Sequence, residues 1–310
     1  MSDLVLVTGD FSSGTTALFT VFRQTGDWYC LYEPLHQKLL EYLVYPLRPD
    51  EHHDFVEPYF REYRGFRAVP DLFRAEWGVS ELVLEPDDPA PDLYRYWSYL
   101  VGTAFSRADR VMMKDNRLAF RLGWLKTNFP RTRIVHVYRD KDEQWRSIVR
   151  RGQEWLGRSD IGQDSVHFAG FNVAEWCEVL CARFPELAAE RSETGYERFS
   201  KLWELCYAEQ RRHADVSIGH RELLDDFPGT AARIGEAIGY EFDVPSLARF
   251  IRAPAERPAR TASARARLVT AVDAGGRRYA KARVALHHLR RGDRAAARAT
   301  IAGTPGVSRS

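Results

Sequence analysis

Five short runs along the chain are dense in β-branched, aromatic and other apolar residues: Leu4–Thr8, Trp28–Tyr32, Arg110–Lys114, Arg133–Tyr138 and Asp215–Ile218. Runs this short predict buried strands. Between and after them, apolar positions recur at helical spacing over Thr15–Gln24, Leu118–Asn128, Asp142–Arg151, Ala174–Arg183, Tyr196–Arg212 and Gly229–Ile238. Strands alternating with helices predict an α/β fold of three layers, built on a mainly parallel sheet of about five strands covered on both faces. The Pro- and acid-rich stretches 45–58 and 85–91 break the pattern, as does 152–170. They are expected to be insertions or lids.

With 310 residues, 45% hydrophobic and 13% aromatic, the chain can bury a sizeable core. One domain is expected over residues 1–252, carrying insertions at 46–109 and 152–214, with an Arg/Ala-rich extension at 253–310. Met1-Ser2-Asp3 runs straight into the first strand with no cleavage site. No stretch of about 18 uncharged apolar residues occurs, so the expectation is a cytoplasmic chain with no membrane span. Cys30, Cys177, Cys181 and Cys206 are too few and too scattered for a disulfide framework or a CxxC metal site. No metal-ligand cluster is visible.

The net charge of +2 hides an asymmetry. From Arg252 onward there are about 14 Lys/Arg against three acids, which leaves roughly −9 on residues 1–251. The basic tail reads as a solvated helical appendage or as a segment that folds back on an anionic ligand. A nucleic-acid partner is not expected, because no recognition motif accompanies the charge.

The first strand runs into Gly9-Asp10-Phe11-Ser12-Ser13-Gly14-Thr15-Thr16 and then an apolar helix. A strand, loop and helix in this order can cradle phosphate: loop and helix N–H groups converge on one point, and the helix dipole adds roughly half a positive charge there. The spacing from Gly9 to Gly14 copies the GxxxxGK[ST] loop, but Thr15 stands where that loop has Lys. The second strand leads into Leu31-Tyr32-Glu33-Pro34-Leu35-His36. An acid at a strand end, with proline closing the strand, projects into the cleft at the carboxyl edge of a parallel sheet. Glu33 is the candidate general base, its pKa expected to be raised, with His36 as the second candidate.

Ser13-Gly14-Thr15-Thr16, Tyr32-Glu33-Pro34-Leu35, Lys114-Asp115-Asn116-Arg117 and Ile134-Val135-His136-Val137-Tyr138-Arg139 with Ser147 eight residues on together resemble the sulfotransferases that use 3′-phosphoadenosine 5′-phosphosulfate (PAPS), the carbohydrate-type members most closely. The family's loop carries Lys or Arg where this chain has Ser12, and Pro where it has Phe11. The resemblance implies a P-loop nucleotide-binding-like architecture. It also implies a cofactor site in which Ser12, Ser13, Gly14, Thr15 and Thr16 bind the donor's 5′-phosphosulfate while Arg139 and Ser147 hold its 3′-phosphate. Lys114, with Arg117, would supply the charge that Ser12 lacks. A weaker match, Val216 to Leu224, departs from the family's Tyr-Glu-Asp-Leu segment at His220 and Arg221.

The function implied is sulfuryl transfer from PAPS to a hydroxyl of a small-molecule or carbohydrate-like acceptor, releasing adenosine 3′,5′-bisphosphate. The aromatic-rich insertions would choose the acceptor. Two rivals stay open. A phosphotransferase using ATP is disfavoured by Thr15, and a non-catalytic nucleotide-binding protein of the same fold is kept alive by Ser12.

Overall fold

The computed structural model of the chain describes residues 3–44, 59–156, 167–168, 171–188 and 193–251. In chain order these form β1 (Asp3–Thr8), α1 (Thr15–Thr25), β2 (Tyr29–Tyr32), α2 (Leu39–Val44), α3 (Val69–Leu72), α4 (Pro91–Phe105), β3 (Arg110–Asp115), α5 (Leu122–Asn128), β4 (Thr132–Tyr138), α6 (Lys141–Leu156), β5 (His167–Phe168), β6 (Phe171–Asn172), α7 (Val173–Leu180), α8 (Gly195–His213), β7 (Val216–Gly219), α9 (His220–Asp225), α10 (Phe227–Ile238) and α11 (Val244–Leu247), with 3₁₀ turns between. All five expected strands form, each within one residue of its expected ends. They build one sheet in the order β2-β3-β1-β4-β7, parallel throughout. β5 and β6 make a separate antiparallel pair.

The reason is visible in burial. Val5, Val7, Val111, Met112, Met113, Ile134, Val135 and Val137 are fully buried, as parallel strands covered on both faces require. Helices α1 and α10, linked through α11, pack on the sheet; α4 packs on β3 and α8 on β4. The expected three-layer α/β fold is therefore present.

One helical expectation needs correction. Leu118–Asn128 is not one helix: a 3₁₀ turn at Ala119–Arg121 precedes α5, and Phe120 leaves helical geometry at φ −95° and ψ 25°. Its carbonyl accepts the N–H of Leu84 at 3.0 Å instead of continuing a helical ladder. The expected insertion 46–109 has helical structure of its own. It contains α4, whose Leu93, Tyr96, Trp97, Leu100 and Ala104 form a buried stripe.

Contact density divides the described chain in two: residues 3–37 and 64–251 form one unit, and 38–44 with 59–63 belong to another. In the second, Tyr42 stacks on Phe60 with ring centroids 5.4 Å apart. The expectations for 45–58, for 157–166 and 169–170 within the third break, and for the basic tail from 252 lie outside the described residues. Among the described residues no helix is long and apolar enough to cross a membrane, and no group of His, Cys, Asp and Glu is arranged to hold a metal.

Candidate active site

β1 is the central strand, and the connections leaving its two sides run in opposite directions, so a crevice opens at its carboxyl end. The loop there is a tight turn. The N–H of Ser13 donates to the carbonyl of Asp10 at 3.1 Å, and Ser12 takes the left-handed conformation at φ 66°. For a residue with a side chain this costs about 1 kcal/mol. A Cβ on Gly9 would lie 2.1 Å from the carbonyl oxygen of Val137, and one on Gly14 would lie 2.3 Å from Cδ2 of His220. The loop is thus pressed between β4 and the residue that follows β7. α1 begins at Gly14 with no side-chain cap, and the buried hydroxyls of Ser12 and Ser13 have no partner. Unused donors converging on a helix start are what an anion needs.

Phe11 anchors this loop. Its carbonyl accepts from Gln144 Nε2 at 2.9 Å, and its ring meets Trp176 edge-on at 5.5 Å. Thr15 Oγ1 donates to Asn116 Oδ1 at 3.0 Å, and the hydroxyls of Thr16 and Tyr32 lie 3.2 Å apart. These bonds tie the loop to the tips of β2 and β3.

At those tips sits a buried ion cluster. Glu33 is 7% exposed and has φ 41°. Ser12 and Glu33 are two of only three non-glycine residues with positive φ among the described residues, and strain of this kind is concentrated at functional sites. The Glu33 carboxylate accepts from Lys114 Nζ and from Arg117 Nη1 at 3.0 Å, with His36 Nε2 at 3.8 Å. Burial alone would raise the pKa of Glu33, but Lys114, Arg117 and His36 overcome it and hold the carboxyl well below the usual carboxylate range. The expected raised pKa is therefore corrected: this carboxylate is ionised at neutral pH. Burial draws Lys114 below its ordinary value despite Glu33. The two shifts do not mirror each other because one carboxylate collects the attraction of several cations, while Lys114 is itself repelled by Arg117. The Lys114 ammonium also lies 4.5 Å from the centre of the Tyr32 ring.

Arg139 and Ser147 come together as expected. Both line one cleft of about 340 Å³ with Glu143, Arg146, Arg150 and Arg221. Arg139 Nε is 3.6 Å from Glu143 Oε2, and Arg221 Nε donates to Glu143 Oε1 at 2.9 Å. That hydrogen bond, with the charge of Arg139, lowers the pKa of Glu143. The Ser147 hydroxyl is buried without a partner.

Sequence reasoning missed several members. Arg146 and Arg150 share a face of α6 with Glu143 and Ser147, a three-and-four spacing that could have been read. Asp10 carried no such signal. Its carboxyl is buried against Cys206 and accepts from Gln210 Nε2 at 3.2 Å, and burial pushes its pKa up to about 7. Arg121, 1% exposed, likewise declares itself only in the fold. The four cysteines form no disulfide, and Cys30, Cys177 and Cys206 are buried; burial raises the Cys177 thiol to about 12.

A family model described as the sulfotransferase family matches residues 5–244. A search of curated proteins found no match. Among solved structures, the chain is similar to sulfotransferase STF1 from Mycobacterium tuberculosis H37Rv, at 19% identity and TM-score 0.38, over 81% of this chain and 70% of that one. It is also similar to retinol dehydratase in complex with androsterone and inactive cofactor PAP, at 15% identity and TM-score 0.32, over 80% of this chain and 64% of that one.

Proposed function

The chain belongs to the sulfotransferase family, and from that premise we propose that it moves a sulfuryl group from PAPS to a hydroxyl of a small-molecule or carbohydrate-like acceptor. The observation that carries the donor assignment is that Arg139 and Ser147 open on one arginine-rich cleft. The residues fit such a donor. The partnerless hydroxyls of Ser12, Ser13 and Ser147 and the uncapped start of α1 are donors in search of anions, and a guanidinium fork suits a phosphate.

When bound, PAPS supplies a sulfuryl group joined to a phosphate leaving group. In this reading the loop from Ser12 to Thr16 holds the 5′ end and the Arg139 cleft holds the 3′-phosphate, with Arg146, Arg150 and Arg221 adding positive charge. Glu33, already a carboxylate, takes the acceptor's proton as the new oxygen–sulfur bond forms. His36 stands beside it as the second candidate. Lys114, with Arg117, offsets the negative charge that gathers on the oxygens around sulfur and on the departing phosphate. That role answers the absence of a cation at Ser12.

Calorimetric titration of adenosine 3′,5′-bisphosphate against AMP and ATP, on wild type and Arg139→Ala, tests the donor assignment. Strong preference for the bisphosphate, lost in the variant, is the expected result. ATP binding best, with Arg139→Ala indistinguishable from wild type, would return the phosphotransferase to first place.

A further inference from the structure

The buried cluster at the tips of β2 and β3 does not balance in charge. Lys114, Arg117 and Arg121 are each 1% exposed, against Glu33 at 7% and Asp115 at 0%. Glu33 is taken by Lys114 and by Arg117 Nη1. Asp115 accepts the N–H of Leu35 at 2.6 Å and that of Arg117 at 2.8 Å, and lies 4.0 Å from Arg117 Nη1. Arg121 reaches neither carboxylate. Its one hydrogen bond runs from Nη1 to the carbonyl of Arg117 at 3.4 Å. Its Nε and Nη2 are buried without a partner, as are Nε and Nη2 of Arg117. Burial brings the pKa of Arg121 down only to about 10, so it stays a cation. A buried, unmatched guanidinium is among the costliest groups a fold can hold, and chains retain one where a ligand completes it.

The cluster is distinct from the Arg139 cleft at β4 and β7 but borders the donor loop: Arg121 follows β3, and the Arg117 guanidinium lies 5.0 Å from the centre of the Phe11 ring. The carboxylates that attract Arg121 are Asp115 and, less strongly, Glu81, the latter in the segment before α4. Arg117 links the two functions: Nη1 steadies Glu33 and the guanidinium plane lies over Phe11, while Nε and Nη2 have no hydrogen-bond partner.

We propose that Arg121 and the two unused N–H groups of Arg117 form an anion subsite for the acceptor, so that the preferred acceptor carries a carboxylate, phosphate or sulfate close to the hydroxyl that is sulfated. The proposal rests on the sulfuryl-transfer reading for the word acceptor, and on the geometry of the cluster for the anion.

The test uses the full chain saturated with adenosine 3′,5′-bisphosphate and titrates 4-hydroxybenzoate beside its neutral isostere 4-hydroxybenzamide, on wild type, Arg121→Met and Arg121→Lys. Wild type is expected to bind the carboxylate saturably and at least about 10-fold more tightly than the amide. Arg121→Met is expected to abolish that preference and leave bisphosphate affinity unchanged. It should also raise the melting temperature of the unliganded protein, because an uncompensated buried charge has gone. Arg121→Lys should keep part of the preference. Equal binding of acid and amide by wild type, or a preference that survives Arg121→Met, overturns the proposal. So does a lower melting temperature for unliganded Arg121→Met, which would make Arg121 a structural tie. Weakened bisphosphate binding in that variant would assign the anion to the donor and overturn it too. If wild type instead fails to prefer the bisphosphate over ATP, the donor reading falls while the acid–amide comparison, run without nucleotide, still judges the subsite.

Discussion

The two ends of the carboxyl edge handle positive charge in opposite ways. At the β4 end, the Arg139 and Arg221 side chains are 23% and 74% exposed around a Glu143 that both touch. At the β2 end, Lys114 and Arg117 are 1% and 0% exposed around Glu33. Arginines in water keep their hydration until a ligand arrives and are readily traded from Glu143 to a phosphate. The buried cations have been desolvated in advance, so their field acts in a medium of low polarity and needs no reorganisation when charge develops. In the proposed reaction the open end captures the donor and the closed end acts on it.

That contrast can be broken experimentally. The largest effect is expected from Glu33→Gln, which keeps the shape and removes the proton acceptor; turnover with PAPS should fall by roughly 10²–10⁴-fold. Rapid-quench kinetics showing a near-normal chemical step would move the base to His36. Next, Lys114→Ala should lower kcat by about 10²–10³-fold, and a variant with near-wild-type turnover would remove Lys114 from the mechanism. At the open end, Arg139→Ala should weaken bisphosphate binding by about 10–100-fold and leave kcat at saturating donor nearly unchanged. Raising the salt from 50 to 500 mM should mimic this loss on wild type, since exposed charges are screened over about 10 Å or less. A kcat that falls as steeply as the affinity would erase the distinction between the two ends.

The smallest effect concerns Asp10. Its folded pKa of about 7 lies above the ordinary 3.8, so between those values the native state holds a proton that the unfolded chain has released. Stability therefore drops as pH rises from about 4 to about 7 and levels off above. Asp10→Asn should flatten that slope and melt at a higher temperature than wild type at pH 8 but not at pH 4. Bisphosphate affinity at pH 8 should also favour the variant by a small factor, because an ionised Asp10 repels phosphate in its own loop. Identical melting profiles for the two proteins would show that Asp10 does not titrate in this range.

The strands were legible because a buried parallel strand leaves a run such as Val5-Leu6-Val7 that few other structures explain. The loop, Glu33, Lys114 and Arg139 were legible as candidates because they stand at strand ends, where a change from apolar to polar marks the edge of the sheet; Ser147, inside α6, was legible only through its spacing of eight residues from Arg139. Leu93, Tyr96, Trp97, Leu100 and Ala104 of α4 keep helical spacing, but the aromatic richness of 46–109 reads first as an acceptor-side insertion and masks the period. Asp10 and Arg121 could not be read at all. Each is an ordinary charged residue in sequence and acquires meaning only through what surrounds it, which for Asp10 includes Gln210, 200 positions away. The fate of Glu33's pKa was hidden for the same reason, since its sign depends on partners more than 80 positions distant.

The central place of β1 in the sheet also sets a timetable for synthesis. β1 leaves the ribosome well before its two neighbours, β3 and β4, and Thr15 waits for Asn116, 101 positions later. The loop after β1 is translated before the strands and the Asn116 side chain that shape it. Pairings this distant in sequence make for slow folding with a long-lived exposed apolar strand. A ribosome-stalled chain ending before residue 110 should therefore bind chaperones through residues 4–8, and release them once β3 and β4 have emerged.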